Sequence, residues 1–174
     1  IYITHDQGEA LTMSDRVAVM NQGRIEQVAA TDEIYDRPST PFVATFVGEQ
    51  NVFRGRVIEC SDGLAKLETG QGAFLGANRD DLKPGDEAMM FVRPERMNLA
   101  DGTAGQSNLL NANLVRRDLE GPFVNLFLKS PDGSEVVVHM TNDRDDWRSL
   151  EGDIPVGFTP QDALVLRAGD MARE

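Results

Sequence analysis

The spacing of apolar and polar residues changes near residue 50, and the two sides of this change predict different kinds of structure. Before it, short apolar runs alternate with residues that cap helices or form turns. Val17 and Val19 alternate with polar neighbours ahead of Asn21-Gln22-Gly23, which favours a hairpin. The pattern predicts the end of a strand at residues 1–3, a helix over 6–13, hairpin strands at 16–20 and 24–28, and short helices after Thr31 and after Thr40-Pro41.

From Asn51 onward, short apolar runs are separated by Gly, Asp, Asn and Pro, which is typical of a small all-β module. Residues 102–108 are rich in Gly, Ser, Thr and Asn and predict a linker. The parts on either side begin with strands of like pattern, which favours a degenerate repeat of a five-stranded barrel, with sub-repeats at about 50–101 and 108–168. Strands are expected at 52–59, 64–67, 73–75, 87–92, 110–118, 123–128, 135–139 and 163–167.

The first predicted helix starts with a possible capping box. Thr4-His5-Asp6-Gln7 has the required spacing, with Thr4 as the N-cap residue and Gln7 three positions later. His5 then falls where a strand ends and a helix begins, the edge at which open α/β sheets bind their ligands. An imidazole there can hydrogen-bond a phosphate oxygen or an attacking water. Taken alone, however, an isolated histidine is more simply explained as a structural residue.

The composition excludes several classes of function. The chain has 174 residues, with 17 Lys and Arg against 29 Asp and Glu and a formal net charge of −12, whereas nucleic-acid binding by bulk charge needs clustered cations. No apolar run approaches the roughly 18 to 20 residues that span a bilayer. Because the single Cys60 cannot form an internal disulfide, a reducing compartment, the cytoplasm, is the default location. The opening at Ile1, without an initiator Met, favours a part of a longer protein.

The sequence lacks the common motifs of catalytic sites: the G-x-x-x-x-G-K-[ST] loop, the C-x-x-C pair, the H-E-x-x-H helix and the G-x-S-x-G elbow. Gly70-x-Gly72-x-x-x-Gly76 lacks dinucleotide-loop spacing and predicts a turn between strands. His139 follows an apolar run and is expected on a strand surface. Asp143-Arg144-Asp145-Asp146 is expected to be a solvated loop, with cation binding as the less favoured alternative. We therefore predict no metal site.

Several segments together carry a specific resemblance. They are Thr4-His5-Asp6-Gln7 with Glu9-Ala10-Leu11, Ser14-Asp15-Arg16-Val17-Ala18-Val19-Met20, Gly23-Arg24-Ile25-Glu26-Gln27, Glu33-Ile34-Tyr35, Pro38, Phe42-Val43-Ala44 and Phe46-Val47-Gly48. This pattern resembles the end of the ATPase of ABC importers, in the group that transports maltose, polyamines, sulfate and ferric iron. Arg93-Pro94-Glu95, after a predicted strand, looks like the R-P-E element of the TOBE domain, the OB-type β-barrel that follows the ATPase in this group.

The resemblance implies a mainly β fold in two parts. Residues 1–48 would be the C-terminal remnant of an α/β ATPase domain, and residues 49–174 a regulatory domain of paired OB-type barrels. His5 corresponds to the switch histidine of the H-loop, which contacts the γ-phosphate of ATP across the ATPase dimer and positions the attacking water. Gly8 departs from the bulkier residue usual in the family, which affects the expected stability of this helix more than the role of His5.

The resemblance also implies what this chain cannot do by itself. The P-loop, the signature motif and the strand with the Mg-binding Asp and general-base Glu lie upstream in the family and are absent here. ATP and Mg are therefore expected as cofactors of a complete subunit, no cofactor is expected for this chain, and the chain alone should not hydrolyse ATP.

The implied function is regulation and dimerisation of an ATP-binding subunit that couples hydrolysis to solute uptake. The implied partners are a second copy of the chain, integral membrane permease subunits and a small-molecule regulator, with no nucleic acid, at the inner face of the cell membrane. Gly48-Glu49-Gln50-Asn51 most resembles the polyamine branch, and the acidic charge favours a cationic solute such as spermidine or putrescine. Two alternatives stay open: a free-standing small-ion-binding module of paired barrels, and an OB-fold nucleic-acid binder, which the charge disfavours.

Overall fold

The first part of the chain combines short helices with one hairpin, and the rest consists mainly of strands. The structure is a computed structural model, and it describes residues 1–100, 107–143 and 146–172. The helices are α1 (Gln7–Met13), α2 (Thr31–Asp36) and α3 (Pro41–Phe46), and 3-10 turns span Pro94–Arg96, Asp146–Ser149 and Pro160–Asp162. The strands are β1 (Arg16–Asn21), β2 (Arg24–Ala30), β3 (Asn51–Ser61), β4 (Leu64–Thr69), β5 (Gly72–Asn78), β6 (Glu87–Val92), β7 (Asn98–Leu99), β8 (Asn108–Glu120), β9 (Phe123–Lys129), β10 (Glu135–Thr141), β11 (Asp153–Phe158) and β12 (Ala163–Arg167).

Residues 1–48, which we call the tail, have a small core of their own. β1 and β2 form the predicted antiparallel hairpin, and its turn residues Gln22 and Gly23 have positive φ angles of 46° and 77°. The Thr40 hydroxyl accepts the N–H of Val43 at 3.2 Å, so α3 begins where the Thr40-Pro41 signal predicts. The tail core consists of Val19, Ala29, Ile34, Val43 and Val47.

α1 is capped two residues later than the capping-box spacing predicts. Its N-cap is Asp6, whose carboxylate accepts the N–H of Glu9 at 3.0 Å, so the prediction that Thr4 caps the helix is wrong. Thr4 instead accepts the N–H of Asp6 at 2.9 Å. A carboxylate next to the free N–H groups of the first turn is favoured over a hydroxyl by its charge. Residues 1–3 are exposed and form no strand.

Five strands close into a barrel in the order β12-β5-β4-β3-β6, and β6 pairs with β12 to complete the ring. β12 runs parallel to β5, while the other neighbours are antiparallel. β3 passes so close to β4 that a Cβ atom at Gly55 would lie 1.9 Å from the carbonyl oxygen of Glu68. Glycine is therefore required at this position of the strand. The predicted mainly β fold with an OB-type barrel is confirmed.

The second sheet has five strands in the order β10-β9-β8-β11-β7 and is open in the residues that the structure describes. Two of its strands, β7 and β11, are absent from the predicted set. β11 contains Pro155 and Gly157, residue types that are depleted in strands, although Pro155 pairs with Asn111 of β8. β7 has two residues, which is too short for an alternating pattern to show in the sequence.

The two predicted sub-repeats exchange their last strands. β7 follows β6 in the chain but pairs with β11 in the second sheet, and β12 comes near the end of the chain but closes the barrel. A boundary at residues 102–108 therefore separates two segments of sequence whose strands are shared between both sheets. Of the predicted linker, residues 102–106 lie outside the described residues, and Asn108 is the first residue of β8.

One hydrophobic core joins the barrel to the second sheet. The ring centroid of Phe158, on β11, lies 5.9 Å from that of Phe53 on β3 and 5.6 Å from that of Phe74 on β5. The Phe53 and Phe74 centroids are themselves 5.2 Å apart, in an edge-to-face arrangement. The three rings therefore form a cluster to which both sheets contribute.

Two asparagines repeat the same contact between the sheets. Asn51, at the start of β3, bonds the N–H and C=O of Val137 on β10 at 2.7 and 2.8 Å. Asn108, at the start of β8, bonds the N–H and C=O of Leu75 on β5 at 2.7 and 2.8 Å. Each asparagine thus begins a strand of one sheet and holds a strand of the other. The degenerate repeat at about 50–101 and 108–168 stays a prediction.

Candidate functional site

α3 lies on the outer surface of the barrel and joins the tail to it. Ala44 of α3 is fully buried in one cluster with Phe91 of β6 and Leu166 of β12. This contact explains why β6 is buried on both faces after its first residue. Past β12, the N–H of Ala172 donates to the hydroxyl of Thr45 at 2.9 Å, so this segment also holds α3 in place.

Arg93, the first residue of the predicted R-P-E element, reaches from the barrel into the tail. It is 8% exposed, and its guanidinium carbon lies 3.4 Å from the ring centroid of Tyr35 on α2. Nη1 donates to the carbonyl oxygen of Val47 at 3.1 Å, and Nη2 donates to the carbonyl oxygen of Tyr35. Because two backbone carbonyls and one aromatic ring surround the cation, we call this contact the Arg93 clamp.

Charge and burial oppose each other in the Arg93 clamp. Burial lowers the pKa of Arg93 from its usual value, while the nearby Tyr35 and Glu95 act in the opposite direction. The hydroxyl of Tyr35 donates to the Glu95 carboxylate at 2.7 Å. Burial raises the pKa of Tyr35, and the hydrogen bond to Glu95 raises it further. Tyr35 therefore stays a neutral phenol at neutral pH, with its ring against the Arg93 guanidinium and its hydroxyl on the Glu95 side chain.

His5 lies apart from the R-P-E element, on the exposed segment just before α1. None of the seven residues of α1 is fully buried, but Leu11 is partly buried and packs against the tail core. The Gln7 side chain adds a polar contact, because its Oε1 atom accepts the N–H of Gly48 at 3.0 Å. His5 is thus free to meet a ligand from solvent, while the helix behind it is tied to the end of α3.

The three residues of the R-P-E element lie together where the barrel meets the tail. Pro94 is buried at the start of its 3-10 turn, between Arg93 and Glu95, which both contact Tyr35. The sequence identifies these three residues by resemblance but does not reveal that they hold the tail. The sequence also does not reveal that Tyr35 contacts Glu95 or that Gln7 contacts Gly48, because residues so far apart in the chain leave no local signal of their contact.

A groove of about 350 Å³ lies on the second sheet, beside a bulge in β8. The pairing of β8 with β9 shifts between Leu114 and Arg116, which leaves Val115 67% exposed. The groove is lined by one cation, one carboxylate, a hydroxyl and two amides. Within it the Asn113 amide donates to the Asp153 carboxylate at 3.1 Å, and the Ser130 hydroxyl donates to Asp132 at 2.6 Å. Its lining residues are Asn111, Asn113, Val115, Lys129, Ser130, Pro131 and Asp153.

The remaining side chains considered as possible ligand-binding groups form no metal site in the part of the chain that the structure describes. Among the residues that the structure describes, no three His, Cys, Asp or Glu side chains group closely enough to hold a metal ion. His139 lies on β10 as expected, half-buried, with Nε2 at 3.4 Å from the Glu49 carboxylate. Of the acidic loop, residues 144 and 145 lie outside the described ranges. No helix within those ranges has the length and apolar character needed to cross a membrane.

The chain is similar to a known domain family and to known proteins. Residues 90–166 match the model of the TOBE domain. Over 170 residues the chain is 37% identical to the spermidine/putrescine import ATP-binding protein PotA of Rubrobacter xylanophilus, covering 95% of this chain and 44% of that protein. Over 145 residues it is 39% identical to the sulfate/thiosulfate import ATP-binding protein CysA of Halalkalibacterium halodurans, covering 83% of this chain and 39% of that protein.

The predicted resemblance to the TOBE-containing region of ABC-importer ATP-binding subunits is confirmed. It spans less than half the length of the two relatives named above. Among solved structures it resembles the cytoplasmic molybdate-binding protein ModG, with a TM-score of 0.61, 16% identity, and coverage of 68% of this chain and 96% of that one. At this identity the likeness shows the fold alone.

Proposed function

We propose that this chain is the regulatory and dimerisation region of the ATP-binding subunit of an ABC importer, which couples ATP hydrolysis to solute uptake. The Arg93 clamp is the observation that carries the proposal, because it ties a segment with the H-loop pattern to a TOBE-type barrel. ATP and Mg would be held largely by residues outside this sequence, since its 174 residues contain no P-loop, signature motif or Asp-Glu strand.

His5 would act as the switch histidine of the complete subunit. Its exposed imidazole can donate a hydrogen bond to a γ-phosphate oxygen and hold the attacking water in line. This is electrostatic positioning of a phosphoryl transfer, with a benefit realised mainly in the transition state. Replacing the imidazole should therefore lower kcat for ATP and leave KM nearly unchanged.

The test measures ATP turnover by the complete subunit and its His5→Ala variant. We expect kcat to fall by about 100-fold or more, as when a positioned transition-state group is removed. His139→Ala is the matched control, because it removes the other histidine of the chain. An equal kcat for wild type and His5→Ala would contradict the proposal, as would ATP hydrolysis by this chain alone.

The proposed partners are a second copy of the chain, bound through the β region, and the membrane permease subunits, which would hold the protein peripherally at the cytoplasmic face of the membrane. A small-molecule regulator would bind the β region. Exposed apolar side chains such as Leu109, Val115, Leu119 and Phe123 supply surface for these contacts. Sedimentation equilibrium at micromolar concentration should report a dimer, and a strict monomer would count against dimerisation.

The proposed solute is a polyamine, spermidine or putrescine. The acidic net charge of −12 and the resemblance to a protein named for spermidine and putrescine import support this choice. The sulfate/thiosulfate relative supports a competing anionic solute. Uptake of labelled spermidine and of labelled sulfate by cells with the complete importer distinguishes the two, since only the transported solute should accumulate in an ATP-dependent manner.

The groove on the second sheet favours a second candidate function, a small-ion-binding module. Lys129 could pair with an anion and Asp153 with a polyamine. Titration calorimetry of this chain with spermidine, sulfate and molybdate tests the idea, with Lys129→Met and Asp153→Asn as groove variants and Lys66→Met on the barrel as the control. Micromolar binding that a groove variant abolishes would support the module, and the absence of heat with all three ions would contradict it.

A further inference from the structure

The peptide group between Val47 and Gly48 is held from both sides. Its oxygen accepts a hydrogen bond from Arg93 Nη1 at 3.1 Å, and its N–H donates to Gln7 Oε1 at 3.0 Å. Because the two atoms belong to one planar amide, the barrel and α1 hold the same rigid unit. A cation at the oxygen also polarises the amide, which makes its N–H a stronger donor toward Gln7.

The surroundings fix this amide in place. Gly48 has a φ of +82°, a conformation that other residues rarely adopt, and a Cβ atom there would lie 2.8 Å from Arg93 Nη1. Arg93 is itself oriented by the Tyr35 ring and by its second donated bond to the carbonyl of Tyr35. The position of the barrel therefore determines the position of the Val47–Gly48 amide.

The other side of this amide leads to His5. Gln7 is the first residue of α1 and lies two positions after His5. Because α1 has no fully buried residue, few contacts set its position: Leu11 packs against the tail core, and the Gln7 bond acts on its first turn. A change at Gly48 thus has a short, bonded route to the segment that carries His5.

We propose that Gln7 and Arg93 are positioning residues, through which the barrel sets the orientation of the segment that carries His5. The inference rests on the proposed function, because it assigns to the barrel a control over the histidine that acts on ATP. A displacement of the barrel that separates Arg93 from Val47 would weaken the Gln7 bond and release α1. Signals received by the regulatory region would reach the nucleotide site in this way.

The first test measures ATP turnover by the complete subunit with Gln7→Leu and with Arg93→Met. Each should lower kcat by about 10-fold to 100-fold with KM for ATP unchanged, because a displaced positioning group costs rate and not binding. Gln7→Glu should retain most of the rate, since a carboxylate still accepts the N–H of Gly48. The double variant should be no slower than the slower single variant, because both act through one amide.

Arg96→Met is the matched control for Arg93, since Arg96 lies in the adjoining turn and pairs with Asp162 at 3.5 Å. If His5→Ala slows turnover but Gln7→Leu and Arg93→Met do not, the positioning role is overturned and the proposed function stands. Multiplicative losses in the double variant would also overturn it. If His5→Ala leaves turnover unchanged, the proposed function fails, and the amide exchange described next decides the positioning role.

The second test needs no ATP and uses this chain. Gln7→Leu, at an exposed position, should speed amide exchange at Gly48 by at least about 10-fold, because that N–H loses its acceptor. Arg93→Met should speed exchange at Gly48 and in the first turn of α1, while the β1–β2 amides, which report folding of the tail, keep their rates. Unchanged exchange in α1 of Arg93→Met, with the hairpin intact, would overturn the proposal.

Discussion

The tail and the β region differ in how much of their stability they supply themselves. The β region buries side chains of the barrel and the second sheet in one continuous core with a cluster of three phenylalanines. The tail has a small core, and its α1 contributes no buried residue. Its further contacts, through Ala44 and the Arg93 clamp, are made with the barrel. We therefore expect the tail to depend on the barrel more than the barrel depends on the tail, although α3 also covers Phe91 and Leu166 on the outer face of the barrel.

The largest effect is expected from Phe158→Ala, which tests whether the two sheets share their stability. Phe158 is fully buried between Phe53 and Phe74, so truncation should cost about 3 to 5 kcal/mol of unfolding free energy. The tail should unfold together with the β region, since it depends on the barrel. Denaturant unfolding followed by circular dichroism measures the loss. Phe123→Ala, at a position 53% exposed, is the control, and an equal cost at both positions would refute the shared core.

Asn51→Ala should destabilise the β region by about 2 kcal/mol and leave the tail attached. The change removes two hydrogen bonds and leaves the backbone N–H and C=O of Val137 without these partners. Asn108→Ala removes the equivalent pair of bonds to Leu75 and should cost a similar amount. If the two variants lose unfolding free energy by amounts that differ by more than a factor of about three, the two asparagine contacts are not equivalent.

Gly48→Ala should act on the tail instead, although Gly48 lies three residues before Asn51. The new methyl group would collide with Arg93, and alanine is strained at the positive φ of this position. We therefore expect the contact between the tail and the barrel to weaken by about 1 to 2 kcal/mol. Amide exchange in α2 and α3 should accelerate, while exchange in β6 and β12 stays slow. Gly23→Ala is the matched control, because its φ is +77° with no atom near the new Cβ, and it separates backbone strain from the collision with Arg93.

The same contrast explains what the sequence predicts well and what it does not. The hairpin, α3, β6 and β12 follow from local signals: a turn at Gln22-Gly23, a cap at Thr40, and compact apolar runs. The exchange of β7 and β12 between the sheets is a pairing between distant segments, and no local pattern records it. β11 is missed because Pro155 and Gly157 interrupt an otherwise apolar strand.

The candidate site is predicted in the same partial way. His5 and the R-P-E element come from resemblance, which identifies residues but not their contacts. Arg93 lies over Tyr35 and reaches Val47, which is 46 residues away in the sequence. Such a tertiary contact leaves no local pattern from which it could be predicted. The cap of α1 is an instance of local competition, in which the carboxylate of Asp6 is favoured over the hydroxyl of Thr4.

The smallest effect is expected at Asp132, in the loop between β9 and β10 that lies next to the barrel turn at Gly70. The Ser130 hydroxyl donates to its carboxylate at 2.6 Å and the Ser134 N–H at 3.0 Å, and these bonds hold the pKa of Asp132 below its ordinary value of 3.8. A lowered pKa in the folded state means that the stabilisation is present above pH 3.8 and is lost as the pH falls through the folded value.

Asp132→Asn isolates the charge, because the amide oxygen can still accept both bonds. At neutral pH the variant should be less stable by under about 1 kcal/mol, since water screens an exposed carboxylate. The difference between wild type and variant should stay nearly constant down to about pH 4 and shrink as the pH falls further, which unfolding curves recorded from about pH 7 to about pH 2 would measure. A difference that grows as the pH falls would mean that the carboxylate destabilises the loop. The tail should exchange at the same rates in wild type and variant at each pH, since no contact of Asp132 reaches it among the described residues.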